Sequence, residues 1–241
     1  MSYRLGVDVG GTFTDLLLIN EENGQTHTAK VPSTPEDSSI GVLNGIDRIC
    51  QESGIDPKKI RRVMHGTTVA TNAVLTGKGA KVGLVTTKGY KQVLQVARSF
   101  CPGGLGGWVS FVKKPLLAPL ELTVEANERM GANGETVDTL DEAALRASLT
   151  TLKNTGQVEA LTICFINAYL NGAHEQKAKE VAAEIFTDIP ISISSDLVPE
   201  MQEYERTETT VVNSYVRPEV ARYVENLNRS LIATMGEDLH L

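Results

Sequence analysis

The sequence predicts an α/β fold with a mixed sheet, and three observations carry that prediction. First, strand-like segments follow one another at the start of the chain. Leu5, Val7 and Val9 alternate with Gly6, Asp8 and Gly10, the apolar run Leu16-Leu17-Leu18-Ile19 comes next, and Asn23-Gly24 signals a hairpin before an extended segment at 26–31. This reads as a three-stranded antiparallel meander. Second, strand-like and helix-like stretches alternate from residue 62 onward, as in a parallel continuation of a sheet. Third, apolar residues make up 41% of 241 residues, which is enough for one large domain or two small ones.

The elements follow in order. Thr34 is placed to cap a helix, Pro35 suits its first position, and Asp37 completes a capping-box-like spacing. Ile40, Leu43, Ile46, Ile49 and Cys50 share one face of that helix, and Gly54 ends it. Residues 62–65 read as a strand, 68–76 as a short helix, 82–86 as a strand and 88–97 as a helix. Pro102-Gly103-Gly104-Leu105-Gly106-Gly107-Trp108 reads as a surface loop or lid. Residues 116–130 and 135–137 read as extended. Thr139 and Glu142 form a second capping box, before a helix with Leu145, Leu149 and Leu152 on one face. A buried strand at 158–165, a helix at 173–186 and a strand at 191–194 follow. Pro199 opens a last helical stretch that Pro218 is expected to kink or break. The expected domains are therefore 1–100, a Gly/Pro-rich loop and extended connection at 101–138, and an α/β continuation at 139–241.

Composition excludes several function classes. The net charge of −7 and the short basic clusters, Lys58-Lys59 with Arg61-Arg62 and Lys113-Lys114, argue against nucleic acid as a partner. The N-terminus lacks a signal-peptide apolar core, and no stretch of about 18 apolar residues spans a membrane. Cys50, Cys101 and Cys164 are odd in number and in no metal-ligand spacing. Cys50 and Cys164 sit in apolar runs and read as buried thiols. A cytoplasmic location is the expectation.

The most informative segment is Asp8-Val9-Gly10-Gly11-Thr12-Phe13-Thr14-Asp15. It puts an acid at the end of a strand, two glycines in the turn and two hydroxyls on the departing strand. Such a turn aims successive backbone N–H groups at one anion, with Thr12 and Thr14 as further donors. Asp8 then stands beside a phosphate, where it holds Mg²⁺ through water or orients a nucleophile. The segment is neither a Walker loop nor a dinucleotide turn. A plain glycine hairpin with Asp8 at the turn is the competing reading.

His65-Gly66-Thr67-Thr68 lies between a predicted strand and a helix start. Free N–H groups at a helix N-terminus favour anions, so Thr67 and Thr68 are candidate ligand contacts, or Thr67 only caps the helix. Asn72 lies one turn on from Thr68. His65 is the best acid–base candidate among four histidines. Arg98 either clamps a carboxylate or phosphate or forms a surface salt bridge. His174-Glu175 opens a helix, where Glu175 suits the dipole. Glu203, Glu205 and Arg206 read as an ion-pair network on a helix face or a contact between lobes. His27 and His240 read as surface residues.

The segment from Asp8 to Asp15 resembles the first phosphate motif of the actin-like ATPase superfamily. Its wording is similar to the N-terminal region of hydantoinase A and 5-oxoprolinase proteins. Four further segments carry the same resemblance: Met64-His65-Gly66-Thr67-Thr68-Val69-Ala70-Thr71-Asn72-Ala73-Val74-Leu75, Gly83-Leu84-Val85-Thr86-Thr87-Lys88-Gly89-Tyr90, Ala173-His174-Glu175-Gln176, and Glu203-Tyr204-Glu205-Arg206 with Asn213-Ser214-Tyr215-Val216-Arg217-Pro218. After Arg98 the chain departs from the family pattern, with Ser99-Phe100-Cys101-Pro102 in place of Gln, a further Arg-Pro and an aromatic.

The resemblance implies a ribonuclease-H-like (actin-like ATPase) lobe in residues 1–100. It implies ATP and Mg²⁺ as cofactors and ATP-driven opening of a cyclic amide such as a hydantoin or 5-oxoproline. Asp8, His65 and Arg98 are then the catalytic candidates, with Asp8 also the metal candidate. Gly10, Gly11, Thr12, Phe13 and Thr14 contact the nucleotide, and Thr67, Thr68 and Asn72 contact substrate. Relatives of this kind are about three times longer, and their second phosphate motif lies in a C-terminal lobe or second subunit. The Asp-x-Gly-Gly pattern occurs once here. The isolated chain is therefore expected to be inactive. The alternatives are an ATP-dependent ketone carboxylase subunit, a non-catalytic truncated partner and, more distantly, a sugar kinase.

Overall fold

The computed structural model describes residues 2–34, 37–99, 103–104, 106–107, 111–237 and 239–240. The expectations for Pro35 and Cys101, and most of the Gly/Pro-rich run, lie outside these residues. The chain falls into two compact units, Met1–Lys78 with Glu219–Leu241, and Gly79–Pro218. This differs from boundaries near residues 100 and 139. Composition marks the glycine-rich run, whereas packing returns the end of the chain to the first sheet.

The first unit is a four-stranded mixed sheet in the order β3-β2-β1-β4. Strands β1 (Tyr3–Val9), β2 (Phe13–Asn20) and β3 (Thr26–Pro32) pair antiparallel in sequence, and β4 (Ile60–Thr67) lies parallel to β1. The two-residue period decides which face is buried. Leu5, Val7, Val9, Leu16 and Leu18 point inward, while Asp8, Asp15 and Leu17 point outward.

Helix α1 (Ser38–Ser53) covers the inner face with Val42, Ile46 and Ile49. Gly45 is required there by space, since a Cβ would stand 2.2 Å from Leu16 Cδ1. The helix starts later than the sequence predicts. Asp37 is its N-cap and accepts from Ser39 N at 2.9 Å, whereas the Thr34 hydroxyl accepts from Gly41 N at 2.9 Å. Ile40, expected on the buried face, is 47% exposed. Helix α2 (Val69–Thr76) follows β4 directly.

The second unit holds a separate, fully parallel sheet in the order β10-β9-β5-β6, formed by β5 (Val82–Thr87), β6 (Thr123–Ala126), β9 (Ala160–Cys164) and β10 (Ile191–Ile193). Every residue of β5 and β9 is buried, as expected for strands covered on both faces. A small antiparallel pair, β7 (Arg129–Met130) and β8 (Thr136–Asp138), stands apart from it. Helices α4 (Glu142–Asn154) and α5 (Ala173–Ile185) build one core with Leu145, Leu149, Leu152 and Val181. Asp141, not Thr139, caps α4, accepting from Ala144 N at 2.9 Å.

The helix expected at 88–97 shrinks to α3 (Val93–Val96). A further short helix, α6 (Ser194–Leu197), follows β10. Helix α7 (Glu203–Met235) runs unbroken through Pro218. Its first part, with Val211 and Tyr215, belongs to the second unit, and Tyr223, Leu227, Leu231 and Met235 join the core of the first.

Candidate functional site

Between β1 and β2 the chain turns through Gly10, Gly11 and Thr12. Gly10 N donates to Phe13 O at 3.0 Å. A Cβ on Gly10 would stand 3.1 Å from that same oxygen, so a side chain there is crowded by close approach, not by a left-handed φ. Ser33 fastens the turn through its carbonyls: Ser33 N donates to Thr12 O at 2.9 Å and Ser33 Oγ to Gly10 O at 2.8 Å. Among the described residues, the N–H groups of Gly11 and Thr12 have no protein acceptor. Engaged carbonyls and spare amides are what an anion-binding turn needs.

The side chains of the turn differ in exposure. Thr14 is fully buried, and its Oγ1 lies 3.0 Å from Ser33 Oγ. It supports the turn from inside, because the strand period turns it into the core. The Phe13 side chain is 46% exposed and lies under Lys30, whose Nζ is 5.0 Å from the ring centroid. Asp8 is exposed at the end of β1. Among the described residues it has no ion-pair partner, whereas Asp15 is held by Lys30 at 2.9 Å. Asp8, Asp15, Lys30, Arg48 and Met64 line an open groove of about 690 Å³ on the outer sheet face.

The start of α2 is tied to this turn. Thr68 N and Oγ1 each donate to Val9 O at 3.3 Å, and Asn72 Nδ2 donates to Thr68 Oγ1 at 3.3 Å. Thr67 Oγ1 accepts from Val69 N at 3.2 Å. One side chain here is foreshadowed by no motif role. Tyr223, from the second half of α7, puts its hydroxyl 2.5 Å from His65 Nε2, with ring centroids 5.5 Å apart. Burial lowers the His65 pKa, against the opposing charge of Asp8. Burial pushes the Tyr223 phenol up to about 12.

The first unit thus brings together Asp8, Gly10, Gly11, Thr12, Phe13, Thr14, His65, Thr67, Thr68 and Asn72. Among the described residues no group of three His, Cys, Asp or Glu forms a metal cluster. A cation at Asp8 would take one carboxylate here and its remaining ligands from phosphate and water.

Arg98 belongs to the second unit, where it donates to Glu205 and Gln202. Its neighbours Ala97 and Ser99 have φ of 50° and 51°, and Gln202 has 85°, backbone that non-glycine residues rarely adopt. Arg206 lies on the buried side of α7, not in an exposed ion-pair network. It is 1% exposed and donates from Nη2 to Phe165 O at 2.6 Å and from Nε to Ser194 Oγ at 3.1 Å. Ser194 in turn donates to Glu175 Oε1 at 2.6 Å. Glu175 is fully buried and also accepts from Phe165 N and Ser195 N, each at 2.7 Å. Its neighbour His174 pairs through Nδ1 with Glu128 at 2.8 Å. These residues staple α5, α6 and α7 onto the end of β9.

Residues 4–186 match the family described as the hydantoinase/oxoprolinase N-terminal region. The chain belongs to that family. This hydantoinase/oxoprolinase region is 34% identical to caprolactamase subunit alpha of Pseudomonas jessenii over 94% of this chain and 33% of that protein. It is 31% identical to the acetophenone carboxylase gamma subunit of Aromatoleum aromaticum over 88% of this chain and 31% of that protein. It superimposes on the crystal structure of the ATP-dependent caprolactamase from Pseudomonas jessenii with a TM-score of 0.85 at 33% identity, covering 97% of this chain and 34% of that one. The hydantoinase/oxoprolinase chain therefore spans about a third of the length of the curated relatives it matches. Tyr223 lies beyond the matched residues 4–186. Its only sequence signal is membership of the apolar i, i+4 series 223, 227, 231 and 235, which reads as core.

Proposed function

We propose that the chain is the N-terminal, phosphate-binding part of an ATP-dependent cyclic-amide hydrolase that opens a lactam or hydantoin ring by phosphoryl activation of the amide oxygen. The observation that carries this reading is the Asp8–Asp15 turn, with two spare amides, carbonyls fastened to Ser33 and an unpaired exposed carboxylate beside them. The mixed sheet around it supports a ribonuclease-H-like (actin-like ATPase) lobe. The likeness to an ATP-dependent caprolactamase, whose name denotes a cyclic amide, supports the substrate class.

Lactams resist water because the amide is resonance-stabilised, and bound ATP would supply the phosphoryl group that makes the amide oxygen a leaving group. The protein's part is positioning and charge stabilisation. Gly11 and Thr12 amides hold phosphate oxygens, Ser33 and Thr14 keep the turn rigid, and Asp8 orients the cation or the attacking group. Thr68 and Asn72 fix the helix start against the turn. Arg98 is proposed as a clamp for a carboxylate or phosphate. A C-terminal lobe or second subunit completes the nucleotide site, so the isolated chain turns over no substrate.

The test is Mg-ATP hydrolysis by the full-length protein with lactams and hydantoins in bicarbonate-free buffer. Amide-stimulated hydrolysis is expected. The likeness to the acetophenone carboxylase subunit supports a second reading, ketone carboxylation. Hydrolysis that depends on bicarbonate and a ketone would replace the first reading with the second.

A further inference from the structure

Helix α7 carries one side chain that its own pattern does not explain. Tyr204, Val211 and Tyr215 stand at i, i+7 and i+11, on the face that packs with Leu94, Leu116 and Leu117. Position 208 completes that apolar stripe, and there the chain has a carboxyl. Glu208 is half-buried, and among the described residues it makes no hydrogen bond or ion pair. Burial alone pushes its pKa above the ordinary carboxylate value. An unpaired carboxyl on an apolar face costs stability, so packing gives no reason for it.

Glu208 and Tyr204 line a groove of about 340 Å³ that lies within the second unit, with Leu94, Phe111, Leu116 and Leu117 among its walls. The cations of the groove do not satisfy the carboxyl. Arg98 donates to Glu205 and Gln202, Lys113 donates to the carbonyls of Gln95 and Val96, and Lys114 is exposed without a contact to Glu208. Ala97 lines the same groove with φ 50° and ψ −133°, a strained backbone of the kind that clusters at ligand sites. Tyr204 stands one helical turn before Glu208, and the Glu208 charge adds to burial in raising its phenol pKa. The pair sets a donor, the phenol O–H, beside an acceptor, the carboxyl oxygen, against an apolar wall.

Ring closure holds a small lactam in the cis amide form. Its N–H and C=O leave from one edge and its methylenes from the other, whereas an open-chain secondary amide is trans and turns the two polar groups to opposite edges. We propose that this groove binds the cyclic amide, with Glu208 accepting from its N–H, Tyr204 donating to its carbonyl, and Leu94, Leu116 and Leu117 covering its methylenes. The choice of ligand rests on the cyclic-amide reading above.

Saturation-transfer NMR on the full-length protein, with ε-caprolactam as the probe and no nucleotide, measures the affinity. Caprolactam is expected to bind about tenfold more tightly than N-propylpropanamide, an open-chain amide of equal carbon count. Glu208→Leu and Tyr204→Phe are each expected to weaken caprolactam about tenfold and to leave Mg-ATP affinity unchanged. N-methylcaprolactam, which lacks the N–H, is expected to bind the unmodified protein and Glu208→Leu alike, a pattern that a merely structural role would not produce. Absence of caprolactam binding, equal binding of the open-chain amide, or unchanged affinity in the folded variants overturns the proposal. Should Glu208→Leu not fold, unchanged affinity in Tyr204→Phe overturns it equally. If caprolactam stimulates ATP hydrolysis while both variants keep their affinity for it, the groove falls and the hydrolase reading stands. If the variants lose caprolactam but the unmodified protein hydrolyses ATP only with bicarbonate and a ketone, the groove stands and the hydrolase reading falls.

Discussion

Gly66 is the partner of Asp8 across the parallel β1–β4 pair, and a Cβ built on Gly66 would stand 3.6 Å from Asp8 Oδ1. That distance is ordinary contact for a methyl group. Gly66→Ala should therefore be tolerated, whereas Gly66→Val crowds the carboxylate. About tenfold weaker Mg-ATP binding by the full-length Gly66→Val protein is expected, roughly 1.4 kcal/mol. Calorimetry checks this, with the thermal midpoint as control, since a β-branched residue suits a strand.

Asp8 itself is exposed and, among the described residues, has no ion-pair partner, so its removal costs little packing. Asp8→Ala in the full-length enzyme is expected to cut kcat by about 10²–10⁴, the range for a lost proton-transfer or positioning group. The thermal midpoint should stay within the small range of surface substitutions. Unchanged turnover removes Asp8 from the mechanism.

The two threonines of the turn separate by burial. Thr14→Val deletes a buried hydroxyl bonded to Ser33 and is expected to cost about 0.5–1.5 kcal/mol of stability in denaturant titration. Thr12→Val, at an exposed position, should leave stability within about 0.5 kcal/mol while weakening nucleotide binding.

Glu175 and Arg206 are a stability device. Arg206→Ala removes the donors to Phe165 O, Glu200 O and Ser194 Oγ and is expected to cost about 1–3 kcal/mol for each buried acceptor left unpaired. Burial raises the Glu175 pKa above its ordinary 4.5, outweighing the donors that oppose it. A raised carboxyl adds stability fully below the unfolded pKa and loses it as pH rises toward the folded value. Glu175→Gln should therefore destabilise more at pH 4.5 than at pH 7.5. Urea midpoints for both forms across that range test the sign.

Burial pushes the Cys50 thiol up to about 11, with the Asp47 charge adding to it. At pH 8 only about a thousandth is thiolate, so alkylation should be slow in the folded chain and fast in urea. Peptide mass mapping of the Cys50 fragment measures both. Rapid modification without denaturant would contradict the packing around α1.

Much of this was legible from local pattern. The period-two alternation at 5–10 set which side of β1 faces water, and so put Asp8 outside. Residues 158–165 read as a buried strand, and β9 is buried throughout, whereas 82–86 read only as a strand and its full burial came from packing. Helix starts were misread where two capping residues compete within a few positions: Thr34 gave way to Asp37, and Thr139 to Asp141. Spacing alone does not say which oxygen reaches a free N–H. Arg206 was read as part of a helix-face ion-pair network or a contact between lobes, and only the acceptors Phe165 O, Ser194 Oγ and Glu200 O make its burial possible.

The sequence by itself determined the α/β class and the turn at Asp8, because these depend on short-range periodicity and on glycine where backbone comes close, and its quoted segments carried the resemblance to the family. The tertiary structure decided which groups of that turn are spent and which are spare. It also brought Tyr223 to His65 across 158 positions of chain. Hydrogen-bond partners are settled by where distant segments pack, and no local rule encodes that distance.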